Sequence, residues 1–396
     1  MAASLIDRFI PTSALRKLGP QDSPRVTNMG VFFDLVYVFS IIQLSHFLLA
    51  HESWMGALEA LTLFAAVWWA WNYTAWATNW LNPDHASGRM LMAVLMGCAL
   101  LMAVAIPEAY GSRSGLFVSA YVTMAMIRAG YMALVFPGQR MGQNYAQLCA
   151  WSVISGQFWV AGAVLPDQRV WLWIVAVLLD FAAPYNGFWL PKHGSTPMQS
   201  WPLRGLHLLE RNQQVFIIAL GESVLLLGGL LVEHPLHADV LAAAGLGFML
   251  ILSLWWIYFV HLSDAGEHGF AHSSDHTKLA RAGLAYAHGV MACGAIVMGV
   301  AIEMILAHPP EAVHAPVALI AAAGPAIFLA GLALFHRTMA QKLPLSYLEA
   351  VLASAVCGGL CLMLHLNGLW LGAGVFALML ALAGFAHGKA ASGKAA

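Results

Sequence analysis

A succession of apolar stretches governs what this chain can fold into. Each is about twenty residues long, nearly free of charge and closed by a short polar break. A helix of about twenty residues crosses the roughly 30 Å of hydrocarbon in a bilayer, where the backbone must satisfy its own hydrogen bonds. Twelve such segments can be read: 30–50, 57–79, 89–109, 116–136, 145–164, 169–189, 212–232, 238–260, 282–306, 315–335, 345–365 and 368–387. The breaks carry turn chemistry, as in Asn82-Pro83-Asp84, Pro137-Gly138, Leu165-Pro166-Asp167 and His308-Pro309-Pro310. The longest polar connections are expected at 190–206 and 261–280. Composition agrees, with 60% hydrophobic and only 9% charged residues, against about 25% charged in a soluble domain. A membrane barrel would instead alternate polar and apolar residues over about ten positions. The expected fold class is all-α, a polytopic transmembrane helical bundle.

The basic residues orient it. With the N-terminus inside, all but three of the 18 Lys and Arg fall on the cytoplasmic side. Arg113 and Arg169 fall on the other side, and Arg128 lies within a span. The positive-inside rule then places both termini in the cytoplasm and requires an even number of spans. The net charge of −1 leaves no basic footprint for nucleic acid. Cys98, Cys149, Cys293, Cys357 and Cys361 all fall inside spans, as apolar packers rather than a disulfide framework. The first 28 residues lack the apolar core of a cleavable signal, so the first span is expected to direct insertion.

The two halves of the chain resemble each other in order. Trp68-Trp69 recurs as Trp255-Trp256, an offset of 187. Met102-Ala103-Val104-Ala105-Ile106 recurs as Met298-Gly299-Val300-Ala301-Ile302, an offset of 196, and Trp173 recurs as Trp370, an offset of 197. A duplicated six-helix unit gives two parallel repeats, a plan known among transporters. Chance similarity between apolar helices of restricted alphabet is the alternative. The duplication divides the chain into a cytoplasmic segment 1–29, a first repeat 30–189, a linker 190–206, a second repeat 207–387 and a tail 388–396.

Charges within hydrocarbon are costly and mark functional candidates. Asp34, Arg128, Asp180 and Glu222 stand out. Arg128, Asp180 and Glu222 lie roughly 10–12 residues from the outer face, which at 1.5 Å per residue puts them near one depth. Asp34 lies closer to the cytoplasmic face. Arg128 needs a partner, which Asp180, Glu222 or neither supplies; a pair is either static or leaves the other acid to change protonation as the protein cycles. On the seventh span His207, Arg211, Ile218 and Glu222 follow steps of four or seven, so one face is polar to mid-membrane. On the first span Asp34, Tyr37, Ile41 and Ser45 share a face, with Gln43 and His46 on another. These two helices either line a polar passage or form a hydrogen-bonded interface.

Two further clusters invite a ligand reading. After the eighth span His268, His272 and His276 recur every four residues, with Asp264 one step earlier. On a helix this is a feasible zinc arrangement, although Gly266 and Gly269 weaken the helix and a solvated loop is the plainer reading. No HExxH, CxxC or phosphate-loop pattern occurs, and no cofactor is implied. On the second span Trp68, Trp69 and Trp71 either pack or line a cavity, while Trp76 and Trp80 suit an interfacial belt.

Several of these segments together resemble the bacterial low temperature requirement A (LtrA) family. Phe32-Phe33-Asp34-Leu35-Val36-Tyr37-Val38-Phe39 is similar to that family's opening ELFFDLVFV signature, and Gln43-Leu44-Ser45-His46 is similar to the residues next in that family. Asn79-Trp80-Leu81-Asn82-Pro83-Asp84 with Arg89, and the run from Ala105 to Gly111, also look like family segments. So do His207 to Arg211, with Glu210, running into Ile218 to Ser223, and Tyr286 and His288 leading to Gly294 and Glu303. The resemblance extends from about 25 to 385. Gly30 stands where the family has a glutamate, and Asn212-Gln213 stands where it has a glycine after Glu210-Arg211. The resemblance implies a multi-pass protein of the bacterial inner membrane, in a family named for a cold-growth phenotype and without an established activity.

Three functions fit these residues. The first is a proton- or cation-coupled secondary transporter or ion-conducting protein acting on a small solute or ion, supported by the duplication and the buried carboxylates. The second is a structural or sensory component with a partner in the bilayer. The third is a membrane-embedded enzyme acting on lipid, with His46, His207 or His288 in acid–base roles.

Overall fold

Every apolar segment of the sequence forms a helix. In a computed structural model the described residues are 10–16, 26–196, 203–233, 235–273 and 275–393, with the side chains of 233, 261, 263, 264 and 385–393 outside the description. The helices are α1 (Asn28–Ala50), α2 (Trp54–Trp80), α3 (Ala86–Ala105), α4 (Ser114–Val135), α5 (Arg140–Val164) and α6 (Arg169–Tyr185). They continue as α7 (Gly205–Glu233), α8 (Ala238–His272), α9 (His276–Ala307), α10 (Ala315–Met339), α11 (Leu345–Met363) and α12 (Gly368–Gly393). The fold is 84% helix, and among the described residues β pairing is confined to three isolated bridges. Among the described residues eight helices are long and apolar enough to cross a membrane: α1, α3, α4 and α7 to α11. Among the rest, α6 has 17 residues, α12 is described with its side chains only over Gly368–Gly384, and α2 and α5 carry Asn, Thr and Gln.

The chain divides into two compact units, residues 1–211 with 276–278, and residues 212–275 with 279–396. In the first, α1 packs on α2 and α3, α4 joins α3 and α5, and α6 lies against α5 and α2. From Trp68 to Trp80 every residue of α2 is buried except Tyr73, which is half-buried. A helix covered on all sides belongs to a protein interior rather than a lipid face. Trp76 and Trp80, expected in an interfacial belt, are therefore buried, because α2 runs through the middle of this unit. Among the described residues of this unit the exposed aromatics are Phe32, Trp54, Trp171, Tyr185 and Trp189, within or just beyond the end turns of helices.

A strap closes one end of this unit. Residues 10–16 pair with the end of α2 through a Leu15–Leu81 bridge, with Arg16 N–H donating to Trp80 O at 2.8 Å and Asn82 N–H to Ala14 O at 2.8 Å. Arg16 Nε donates to the Thr78 and Leu81 carbonyls at 3.1 and 3.0 Å, supplying a cation to the negative end of the helix. Burial lowers the Arg16 pKa from the ordinary arginine value, while nearby Asp84 pulls it back up.

In the second unit, α9 packs on α10, α10 on α11, and α8 on α9, α10 and α12. The α9–α10 contact is backbone on backbone. A Cβ added to Gly294 would collide with the Phe328 nitrogen, one on Gly324 would lie 2.8 Å from the Met298 nitrogen, and one on Gly331 would lie 2.6 Å from the Met291 nitrogen. Small residues at such crossings maximise van der Waals contact where water offers no drive for association.

The polar connection expected at 261–280 is not a loop. α8 continues to His272 and α9 begins at His276. At 35 residues α8 is about 52 Å long and outruns a bilayer core. Its extension is held by packing, with Leu262 and Phe270 buried and Gly269 seated against Met339. That contact offsets the helix-weakening effect of the glycine.

Candidate functional site

The first unit buries three polar groupings around α2. The first is an ion pair. Asp34, on α1, accepts from Arg211 Nη2 at 2.7 Å and from Trp71 Nε1 at 2.8 Å, both on Oδ1. Both charged side chains are at most 1% exposed. The Arg211 guanidinium carbon lies 6.0 Å from the centre of a Trp71 ring. Gly30, one turn before Asp34, packs directly on Arg211 Nη1, so any side chain there would have to displace the guanidinium. The position at which the resemblance expects a glutamate is thus occupied by space that Arg211 uses. Asp34 Oδ2 and Arg211 Nε have no hydrogen-bond partner among the described residues.

The second grouping is Arg128, on α4 and 2% exposed. Its Nη1 donates to the Ala70 carbonyl at 3.0 Å and to Thr74 Oγ1 at 3.2 Å, and its guanidinium lies 5.2 Å from the Tyr73 ring centre. An ion pair with Asp180 does not form: among the described residues of this unit no carboxylate lies within 4 Å of Arg128. The carbonyl, the hydroxyl and the ring on α2 take that role instead, and no unit charge is needed to satisfy two of its donors.

The third is Asp180, on α6. Tyr121 Oη donates to its Oδ2 at 2.7 Å and Trp159 Nε1 at 3.2 Å. The Ser155 hydroxyl donates to the Ser152 carbonyl at 3.4 Å, and Arg128 stands within electrostatic reach of Asp180. Asp180 is thus surrounded by neutral donors from α4 and α5. Trp159 is itself anchored, its carbonyl accepting from Trp173 Nε1 at 3.0 Å.

The remaining first-unit candidates separate by exposure. On α1, Asp34, Tyr37, Ile41 and Ser45 are all buried on one face, as their spacing requires, while His46 is exposed on another. On α7, His207 and Arg211 are each 1% exposed, whereas Glu210 points to the exposed side.

In the second unit Glu222 is 1% exposed, beside Ser223. A Cβ on Gly299 of α9 would lie 2.7 Å from Ser223 Oγ and 3.9 Å from Glu222 Oε2, so this glycine lets the polar face of α7 approach α9. Glu303, one turn further along α9, is half-buried. His288 is 2% exposed and fully engaged: its Nδ1 bonds the Gly283 carbonyl at 2.9 Å and its Nε2 the Tyr258 hydroxyl at 2.8 Å. The carbonyl fixes the proton on Nδ1, so Nε2 accepts from Tyr258. Gly283 lies within a π-helical stretch, Ala280–Ala287, whose wider turn brings that carbonyl under the imidazole.

The histidine cluster is split. His268 and His272 are exposed on α8 with rings stacked at 6.1 Å, and His272 Nδ1 bonds the His268 carbonyl at 2.9 Å. His276 starts the next helix, so the four-residue rhythm does not continue on one face. The Asp264 side chain lies outside the described residues. No group of three His, Cys, Asp or Glu suited to a metal occurs among the described residues.

Sequence reasoning missed the neutral partners: Trp71 for Asp34, Thr74 for Arg128, Tyr121 and Trp159 for Asp180, and Tyr258 for His288. It also missed the Asp34–Arg211 pair, for which a signal existed. Both residues lie in the second turn of a helix that starts from the same expected side.

Comparison with known proteins agrees with this architecture. The sequence profile of the bacterial low temperature requirement A protein matches residues 25–384. An uncharacterized protein of Rhizobium meliloti (strain 1021) is 32% identical over 338 residues, covering 83% of this chain and 81% of that protein. No solved structure matches. With nearly its whole length matched, this multi-helix membrane chain belongs to the bacterial low temperature requirement A (LtrA) family.

Proposed function

We propose that this protein is a proton- or cation-coupled secondary transporter or ion-conducting protein of the bacterial inner membrane, built from twelve spans in two parallel six-helix repeats with both termini cytoplasmic. The observation that supports the coupling role is Asp180. It is a buried carboxylate held by Tyr121 at 2.7 Å and Trp159 at 3.2 Å, with no cation within 4 Å among the described residues. A carboxylate bound this way can gain or lose a proton or a monovalent cation without breaking an ion pair. Asp34, locked to Arg211, cannot. Arg128 supplies a fixed positive charge nearby, which favours release once the site is loaded.

The purified full-length protein, reconstituted in liposomes, tests this through the charge movement after a pH jump. We expect a transient current in the wild type that Asp180→Asn abolishes and Glu222→Gln reduces. An undiminished current in a folded Asp180→Asn protein would overturn the assignment of coupling to Asp180.

A further inference from the structure

The first unit holds a cavity of about 650 Å³ between α5 and the turn after α6. Its size falls within the range of small-molecule sites. Arg140, Gln143 and Ser195 line it, and none of the three side chains is bonded to another described residue. His193 joins them, its Nδ1 already engaged by the Pro191 carbonyl at 3.2 Å. Ala146, Ala150 and Leu190 add an apolar lining. No Asp or Glu lines the cavity.

The fold builds this place and holds it open. The chain reverses after α6 through Gly187 (φ +60°), Phe188 (φ +53°), Lys192 (φ +67°) and Gly194 (φ +69°), with a Leu190–Gly194 bridge. Gln147 ties the turn to α5, donating to the Gly194 carbonyl at 3.1 Å and accepting from the Thr196 hydroxyl. Trp151 Nε1 donates to the Trp189 carbonyl at 3.1 Å on the same side. Arg140 is the first residue of α5, and Gln139 before it makes no side-chain cap, so the positive end of a 25-residue helix adds to the field of the guanidinium. Trp189 and Tyr185 are 53% and 75% exposed beside it, the pattern of a membrane–water interface.

We propose that this cavity binds a phosphate group at the membrane interface, that of an anionic phospholipid headgroup. The free donors and the absence of carboxylates select an anion. The guanidinium offers paired donors that match phosphate oxygens. The apolar lining and the exposed aromatics favour a lipid over free phosphate, because they cover the glycerol and first methylenes of a chain that inorganic phosphate lacks. This site is independent of the transport reading: it sits at a helix end and uses none of the buried charges.

Native mass spectrometry of the detergent-purified full-length protein tests it, with dioctanoyl-phosphatidylglycerol, dioctanoyl-phosphatidylcholine and inorganic phosphate as probes. We expect saturable binding of phosphatidylglycerol, weakened about tenfold by Arg140→Gln through loss of a charge-assisted contact. Ala146→Trp, which fills the cavity from an exposed helix position without changing charge, is expected to abolish it. Lys192→Gln removes the same charge from the same turn outside the cavity and is expected to change binding less than threefold. Arg140 and Ala146 are exposed, so both variants should keep the wild-type unfolding temperature. Inorganic phosphate competing with equal affinity would overturn the lipid assignment. Phosphatidylglycerol binding that is absent, or unchanged in Arg140→Gln and Ala146→Trp, would overturn the site.

Discussion

The helices around α2 in the first unit meet through polar side chains, whereas α9 and α10 of the second unit meet through bare backbone. Around α2, Asp34, Arg128 and Asp180 each draw donors or acceptors from neighbouring helices. Between α9 and α10, Gly294, Gly324 and Gly331 let main chain touch main chain. Side-chain polar contacts have alternative protonation states and partners, so an interior joined by them can change state locally. A glycine seam has one good arrangement and resists sliding. On the proposed reading, the first unit's interior is where charge is rearranged and the α9–α10 seam is scaffold.

The largest effect that would sharpen this contrast is expected at the ion pair. Removing one partner of a buried pair leaves an uncompensated charge and costs about 3–5 kcal/mol. Asp34→Asn and Arg211→Gln should each lower the unfolding free energy in detergent by that amount, and the double variant should lose less than the sum. Additive losses would show that the two charges are satisfied by other groups.

Next comes the glycine seam. Gly294→Ala places a Cβ on the Phe328 backbone nitrogen, and overpacking of this kind costs about 1–3 kcal/mol. Gly97→Ala, where the added Cβ meets nothing within 4 Å, is the matched control and should leave stability unchanged or slightly raised. Equal effects at the two sites would break the idea of a close-packed seam. Smaller still is Tyr258→Phe, which leaves His288 Nε2 buried without its donor at a cost of about 1–2 kcal/mol. The same denaturation measurement applies, and an unchanged midpoint would mean that His288 finds another donor.

These features were unequally legible in the sequence. The helices could be read because an apolar run of about twenty residues has few alternatives in lipid. The burial of Asp34, Tyr37, Ile41 and Ser45 on one face of α1 accords with their spacing. The extension of α8 could not be read, because Gly266 and Gly269 argue locally against helix and only the Met339 contact shows why Gly269 is tolerated. The partner of Arg128 is hidden for a related reason. A buried cation suggests a carboxylate, yet Ala70 O and Thr74 Oγ1 engage its Nη1 from the adjacent helix. A backbone carbonyl carries no signature in sequence, and a threonine among many has none either.

The smallest expected change in stability is at Asp180, and it separates the two buried aspartates most clearly. Tyr121 and Trp159 both donate to one oxygen of Asp180. An asparagine can turn its carbonyl oxygen into that position, keeping both bonds. The loss in unfolding free energy should then be below about 1 kcal/mol, several-fold less than for Asp34→Asn, although both substitutions remove one buried negative charge. Charge movement should nevertheless vanish in Asp180→Asn, because the amide cannot take up a proton. A loss of stability as large as that of Asp34→Asn would mean that Arg128 depends on the Asp180 charge, making the two a structural pair at longer range. Asp180 would then hold the helices together, as Asp34 does.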